Sequence, residues 1–91
     1  MSRIRMRFRF SGRVQGVGFR QFVRSRSRAL GIGGFVENRP DGSVEAQLEG
    51  EPAALRELER VLHEEHPLAQ IDRVEREELP LQGSLPPVQI R

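Results

Sequence analysis

Residues 12–20 read Gly-Arg-Val-Gln-Gly-Val-Gly-Phe-Arg, and they join a strand-like run to a helix-like run. Three glycines in seven positions allow the backbone to curve tightly and to bring its N–H groups close to a ligand. The helix start that follows adds N–H groups without intrahelical acceptors and the positive end of the helix dipole. Arg20 is unfavourably placed at a helix N-terminus unless an anion lies beside it. The segment therefore predicts an anion site that suits a phosphate group.

The two flanks of this segment have different periodicities. Residues 3–10 alternate strictly between arginine and apolar side chains, which predicts a strand with one buried face. Residues 19–30 show an incomplete apolar stripe with helical spacing. On that helix we expect Arg24 and Arg28 to lie on the surface. Arg20 adjoins the glycine-rich segment and is the candidate functional arginine.

The rest of the chain divides at proline and glycine residues. A Pro-Asp-Gly turn at 40–42 predicts a hairpin, and Pro52 suits the first turn of a second helix. The expected elements are strands 33–38 and 43–49, a helix from 52 to about 65, an edge strand 69–79, a loop 80–87 and a short final strand 88–91.

This order of elements predicts an α+β fold. Right-handed crossovers place two helices on one face of an antiparallel sheet, which gives a ferredoxin-like βαββαβ sandwich with a short extra C-terminal strand. The length predicts one domain, residues 1–91. The arginine face of strand 3–10 matches the acidic face of strand 43–49, so we expect these two strands to lie side by side.

Charge and composition restrict the function classes. The 15 basic residues are all arginine, and the net charge is only +2. Residues 1–39 hold ten arginines against one acid, and residues 40–91 hold five against twelve, so we expect the two halves to pair with each other rather than with nucleic acid. The lack of cysteine excludes disulfides and cysteine-ligated zinc, and it suits a reducing cytoplasm. No apolar run reaches membrane-spanning length.

The glycine-rich segment limits the chemistry that it can perform. Residues 12–20 contain no Ser, Thr, Cys, His, Asp or Glu, so they supply neither a covalent nucleophile nor a general base. They also lack the Gly-Lys-Ser/Thr ending that would give magnesium a hydroxyl ligand. Asn38 is the second candidate, because its amide can hold a water, although the residues alone favour a turn role beside Pro40. His63 and His66 could bind a metal or stabilise the end of a helix.

Two motifs resemble the signatures of the acylphosphatase family: GRVQGVGFR at 12–20, and GFVEN at 34–38 followed by PDGSVE at 40–45. The resemblance implies an enzyme that hydrolyses the carboxyl–phosphate bond of acyl phosphates to a carboxylate and inorganic phosphate, without a metal or cofactor. Arg20 matches the phosphate-binding arginine of the family, and Asn38 matches the asparagine that orients the attacking water. The loop whose amides cradle the phosphate matches Gln15, Gly16, Val17, Gly18 and Phe19.

The chain departs from the family pattern at two positions. Phe35 stands where the family usually has tryptophan, and Arg91 stands where an aromatic residue often closes the chain. Both positions concern packing at the sheet, so we expect them to affect stability or rate rather than the type of reaction.

Two other functions share this order of elements. A nucleic-acid-binding module of the RRM type has a strand motif that Gly-Val-Gly-Phe-Arg superficially resembles, but here the motif precedes the first helix. An acylphosphatase-like domain can also bind a carbamoyl-phosphate-type substrate within a larger maturation enzyme. Because the sequence starts at Met1 and ends near the last strand, we expect a free-standing enzyme that acts on a small acyl phosphate, without nucleic acid or membrane. The charge balance favours a monomer, and the lack of cysteine suits the cytoplasm.

Overall fold

The order of strands and helices confirms the predicted α+β, ferredoxin-like fold. A computed structural model describes residues 2–91. Its elements are β1 (Ile4–Arg13), α1 (Phe19–Ala29), β2 (Gly33–Asn38), β3 (Val44–Gly50), α2 (Pro52–Glu64), β4 (Gln70–Leu79) and β5 (Gln89–Ile90). No helix in this described range is long and apolar enough to cross a membrane.

The strands form one sheet in the order β4-β1-β3-β2-β5. The pairs β4–β1, β1–β3 and β3–β2 are antiparallel, and the short β5 runs parallel to β2. β4 is the outer strand on one side, as its charged sequence predicts. Because β1 and β2 both pair antiparallel with β3, they run in the same direction and end at the same edge of the sheet. This edge therefore carries both the glycine-rich segment and Asn38.

β1 is longer than predicted and takes in the first residues of the glycine-rich segment. Its pairing with β4 shifts register between Ser11 and Gly12 and then continues through Arg13. Gly12 has φ +123°, and a Cβ there would lie 2.3 Å from the main-chain oxygen of Gln70. Glycine therefore allows β1 to stay close to β4 at this irregularity, and the curved loop begins only at Val14.

The side-by-side arrangement of β1 and β3 is confirmed. Arg5 lies opposite Glu49 and Arg9 opposite Glu45. The ion pairs are nevertheless more widely spread than the strand pattern predicts. Arg5 contacts Glu49 at 2.9 Å, but Arg7 pairs with Glu77 of β4 and Arg9 pairs with Asp41 of the β2–β3 turn. The arginine row of β1 is thus neutralised from three directions.

The apolar core lies between the sheet and the two helices. The rings of Phe10 and Phe19 meet edge to face at 5.4 Å, and Val14 and Phe19 are each only 1% exposed. These two residues lie at the two ends of the loop 14–19, so the core fixes the loop at both ends. Other buried members of the core are Phe8, Val23, Ile32, Val36, Val44, Leu48, Leu55, Leu58, Leu62 and Val88.

Gly34 gives a direct test of the β2–β3 pairing. It has φ +139°, and a Cβ there would lie 1.9 Å from the main-chain oxygen of Gln47. We expect Gly34→Ala to lower the free energy of unfolding by roughly 3 kcal/mol, through backbone strain and the clash together. Thermal denaturation should show a melting temperature lower by more than about 10 °C.

The control for this variant is Gly83→Ala. Gly83 also has a positive φ, +64°, but nothing lies within 4 Å of its Cβ position. Its loss of stability should be about 1 kcal/mol, the conformational part alone. Equal losses of unfolding free energy in the two variants would contradict the close approach of β2 and β3 at Gly34.

Candidate active site

The loop between β1 and α1 is held in one curved conformation. Gly16 and Gly18 have φ +74° and +75°, a region that other residues rarely adopt. Nothing lies within 4 Å of a Cβ placed at either glycine, so the backbone conformation rather than space requires them. Gly18 is also the N-cap of α1, and it provides no side-chain cap. The start of α1 is therefore left open.

The loop presents a run of main-chain N–H groups without acceptors. Val14 donates to the oxygen of Gly12 at 3.1 Å, and Phe22 donates to the oxygen of Gly18 at 3.1 Å. Between them, the N–H groups of residues 15–21 have no acceptor anywhere in residues 2–91. The first turn of α1 contains no acidic residue. Unpaired main-chain donors at the positive end of a helix are an environment that favours an anion.

Arg20 lies in the first turn of α1, next to these donors. Its side chain is partly buried, and Nη1 donates to the main-chain oxygen of Arg91 at 3.4 Å. Among residues 2–91, no Asp or Glu side chain lies within salt-bridge distance of Arg20, and the oxygen of Arg91 belongs to the last residue of the sequence. Its charge is therefore still available to a bound anion.

Asn38 is the last residue of β2, at the same edge of the sheet. It lies opposite Val44, which in turn lies opposite Phe10 of β1. Two strand spacings of 4.7–4.9 Å separate it from β1, roughly 10 Å. Its Oδ1 is buried and has no hydrogen-bond partner among residues 2–91. A buried amide oxygen without a partner usually marks a place where water or a ligand is bound.

The adjoining turn is held by other residues, which argues against a turn role for Asn38. Asp41 Oδ1 accepts from the N–H of Ser43 at 2.9 Å and from its hydroxyl at 2.6 Å. Arg9 pairs with the same carboxylate. The hydrogen bonds from Ser43, together with Arg9, hold the pKa of Asp41 well below its usual range. The turn thus stays closed without the Asn38 side chain.

The side chain of Gln15 links the loop to this turn. Its Nε2 donates to the main-chain oxygens of Arg39 at 2.8 Å and Ser43 at 2.9 Å. The sequence predicts only a main-chain role for Gln15. Nothing in the sequence reveals the side-chain link, because its acceptors are backbone carbonyls 24 and 28 residues away.

The two departures from the family pattern meet each other in the structure. The Arg91 guanidinium lies over the ring of Phe35, 3.6 Å from its centroid. The N–H of Arg91 donates to the oxygen of Val36 at 2.9 Å. A cation–π contact therefore packs this part of the sheet, where the family pattern has aromatic residues. Arg28, exposed as predicted, donates to the oxygen of Val88 at 3.3 Å and fastens the same tail.

The two histidines have different surroundings. α2 ends at Glu64, and His63 lies in its last turn, as the helix-end interpretation predicts. His66 lies beyond the helix, and its Nδ1 accepts from the N–H groups of Leu68 at 3.1 Å and Ala69 at 2.9 Å. Its ring packs 4.8 Å from Phe22. In residues 2–91, no three His, Asp or Glu side chains are grouped as metal ligands.

The fold and the loop define a class: a ferredoxin-like domain with a curved run of unpaired main-chain donors ahead of its first helix. The acylphosphatase family model matches residues 6–87. An acylphosphatase of Anaeromyxobacter dehalogenans is 48% identical over 89 residues, which cover 98% of this chain and 96% of the relative. The crystal structure of acylphosphatase from Bacillus subtilis superposes with a TM-score of 0.90 at 31% identity, covering 97% of this chain and 98% of that one. The chain belongs to the acylphosphatase family, a family of enzymes that hydrolyse acyl phosphates.

The same fold also occurs inside a much longer protein. HypF of T. kodakarensis superposes with a TM-score of 0.85 at 32% identity. The match covers 97% of this chain but only 12% of HypF. The likeness to HypF is therefore to one part of that protein.

Proposed function

We propose that this chain hydrolyses acyl phosphates without a metal, with the phosphoryl group held by Arg20 and the loop N–H groups, and with water oriented by Asn38. The observation that carries the proposal is the run of seven unpaired N–H groups at residues 15–21. It provides main-chain donors at the positive end of α1, in the same segment as a guanidinium that no Asp or Glu side chain pairs with among residues 2–91. The binding residues proposed are Gln15, Gly16, Val17, Gly18 and Phe19 through their main chain, and Arg20 through its side chain.

The substrate chemistry suits a site with few reactive side chains. The leaving group of an acyl phosphate is a carboxylate, which needs no strong general acid. Phosphoryl transfer depends chiefly on positioning and on stabilising charge on the phosphoryl oxygens. Main-chain N–H groups and one arginine supply both, so the lack of Ser, Thr, Cys, His, Asp and Glu in residues 12–20 is no obstacle.

The attacking water is assigned to Asn38. Its buried Oδ1 accepts a hydrogen bond from the water and directs the water oxygen at phosphorus, in line with the bond to the acyl oxygen. The new P–O bond forms as the bond from phosphorus to the acyl oxygen breaks. The products are a carboxylate and inorganic phosphate, and a phosphoryl oxygen takes the water proton.

The direct test is hydrolysis of benzoyl phosphate, followed by its ultraviolet absorbance in the presence of a chelator. We expect turnover that the chelator does not change, and competitive inhibition by inorganic phosphate. Loss of activity with the chelator would overturn the metal-free mechanism. The alternative, based on the likeness to HypF, is a domain specialised for a carbamoyl-phosphate-type substrate. A parallel assay with carbamoyl phosphate distinguishes such a domain from a free-standing acylphosphatase.

Nucleic-acid binding is the competing function, and the aromatic side chains argue against it. Phe19 is buried, and Phe22 packs on His66, so neither can stack on a base at the sheet surface. Phe35 is covered by Arg91. Salt-dependent RNA binding without turnover of either acyl phosphate would favour this function instead.

We further propose that the chain acts as a cytoplasmic monomer on small acyl phosphates. The support is that Arg5, Arg7 and Arg9 of β1 each form an ion pair within the chain, so this arginine row does not need an acidic partner. Sedimentation equilibrium should give a single species of 10.4 kDa. A dimer mass would contradict the monomer.

A further inference from the structure

The side chain of Gln15 connects the two halves of the proposed site. Its two amide hydrogens go to the main-chain oxygens of Arg39 and Ser43, at 2.8 and 2.9 Å. Gln15 is the first residue of the unpaired N–H run, and Arg39 directly follows Asn38 in the chain. One partly buried side chain thus joins the loop that would hold phosphate to the strand end that would hold water.

The acceptors of Gln15 belong to a rigid turn. The N–H of Arg39 donates to the oxygen of Ser43 at 2.8 Å, which closes the turn across its base. Asp41 then fixes Ser43 through two hydrogen bonds, and Arg9 ties Asp41 to β1. Gln15 is therefore fastened to a part of the chain that does not depend on Gln15 for its own shape.

The alternative use of the Gln15 side chain is direct contact with substrate. Each of its two N–H groups already donates to a carbonyl of the turn, so neither faces the concave side of the loop. The remaining link between loop and Asn38 is through the sheet, where β3 separates β1 from β2. The hydrogen bonds of Gln15 add a second link, from the loop to the residues just after β2 and just before β3.

We propose that Gln15 is a positioning residue, whose side chain sets the distance between the N–H groups of the loop and Asn38. This inference rests on the proposed function. The hydrogen bonds of the Gln15 side chain would therefore help to align the water with the phosphoryl group without contacting either of them. A displacement of about 1 Å between reacting groups lowers rates by roughly a hundredfold, so even a small loosening is measurable as rate.

The first test is Gln15→Met, which keeps the length of the side chain and removes both hydrogen bonds. We expect kcat for benzoyl phosphate to fall about 30-fold, whereas the inhibition constant of inorganic phosphate changes less than about threefold. Gln70→Met is the matched control. Gln70 is exposed at the start of β4, so the kcat of this variant should not change.

The decisive test repeats Gln15→Met in an Asn38→Ala background. If Gln15 acts through the placement of Asn38, the second substitution should lower kcat by less than about threefold once Asn38 is absent. The same 30-fold loss in both backgrounds, or a matching rise in the phosphate inhibition constant, would mean that Gln15 only stabilises the loop and would overturn the inference. If Asn38→Ala alone left kcat unchanged, the proposed role of Asn38 would fail first, and with it the basis for Gln15.

A pH profile gives a further readout that loss of folding would not mimic. In Gln15→Glu the ionised carboxylate cannot donate to the two carbonyls, but the protonated acid can donate to one of them. The kcat of this variant, relative to that of the unsubstituted enzyme, should therefore rise as the pH falls below about 5. A constant ratio across this range would contradict the positioning role.

Discussion

Replacing Arg20 with glutamine should abolish inhibition by inorganic phosphate and lower kcat/KM for benzoyl phosphate by about a thousandfold. In the proposed site the guanidinium would supply charge-assisted hydrogen bonds to the phosphoryl oxygens, each contributing about 1.5–3 kcal/mol. Two such bonds correspond to roughly two to four orders of magnitude in binding and rate. Steady-state kinetics with phosphate as the inhibitor measures both effects at once.

The stability of the Arg20 variant provides an independent check. Among residues 2–91, the Arg20 side chain makes one long hydrogen bond, 3.4 Å, to the main-chain oxygen of Arg91. A cation at the N-terminus of α1 is itself unfavourable by a few tenths of a kcal/mol. Arg20→Gln should therefore unfold at the same denaturant concentration as the parent or slightly higher. The control is Arg24→Gln, one turn further along α1, which should keep both rate and phosphate inhibition.

Replacing Asn38 with alanine should lower kcat by several hundredfold and change the phosphate inhibition constant by less than about threefold. In the proposed mechanism this variant loses the orientation of the attacking water but keeps the groups that bind the phosphoryl group. Equal losses in kcat and in phosphate binding would show that Asn38 holds the phosphoryl group instead. A variant with normal kcat would remove Asn38 from the mechanism.

The free energy of unfolding should move little in this variant, because no protein hydrogen bond is broken. Asn38 Oδ1 is buried and unpaired, and an unpaired buried acceptor costs about 1–3 kcal/mol. Removing it should leave stability unchanged or raise it by up to about 1 kcal/mol. A lower kcat together with an equal or higher free energy of unfolding in Asn38→Ala would indicate that Asn38 is kept for function rather than for stability.

The fold could be predicted from the sequence because the patterns that indicate its strands and helices each lie within a short segment. The arginine alternation of β1, the Pro-Asp-Gly turn and the leucine stripe of α2 each lie within a dozen residues. The features that were missed depend on contacts far apart in the chain. The extension of β1 through Gly12 depends on pairing with Ile71, and the role of His66 depends on two N–H groups beyond the end of α2.

For the candidate site too, the features within a motif were predictable from the sequence, and the contacts between distant residues were not. The N–H run, Arg20 and Asn38 come from two motifs that can be read directly, and the structure places both motifs at one edge of the sheet. The side-chain bonds of Gln15 and the buried state of Asn38 Oδ1 cannot be read from the sequence, because they depend on how the loop meets the turn. The main-chain donors and the two side chains of the site were predictable, whereas the hydrogen bonds that hold them in place were not.

The outer strand β4 has a consequence for behaviour at high concentration. Six of its ten residues are charged: Asp72, Arg73, Glu75, Arg76, Glu77 and Glu78. A second copy added along this border in register would stack identical charges 4.7–4.9 Å apart, with repulsion at each of them. The charges of β4 therefore disfavour parallel, in-register growth of a fibril from this outer strand.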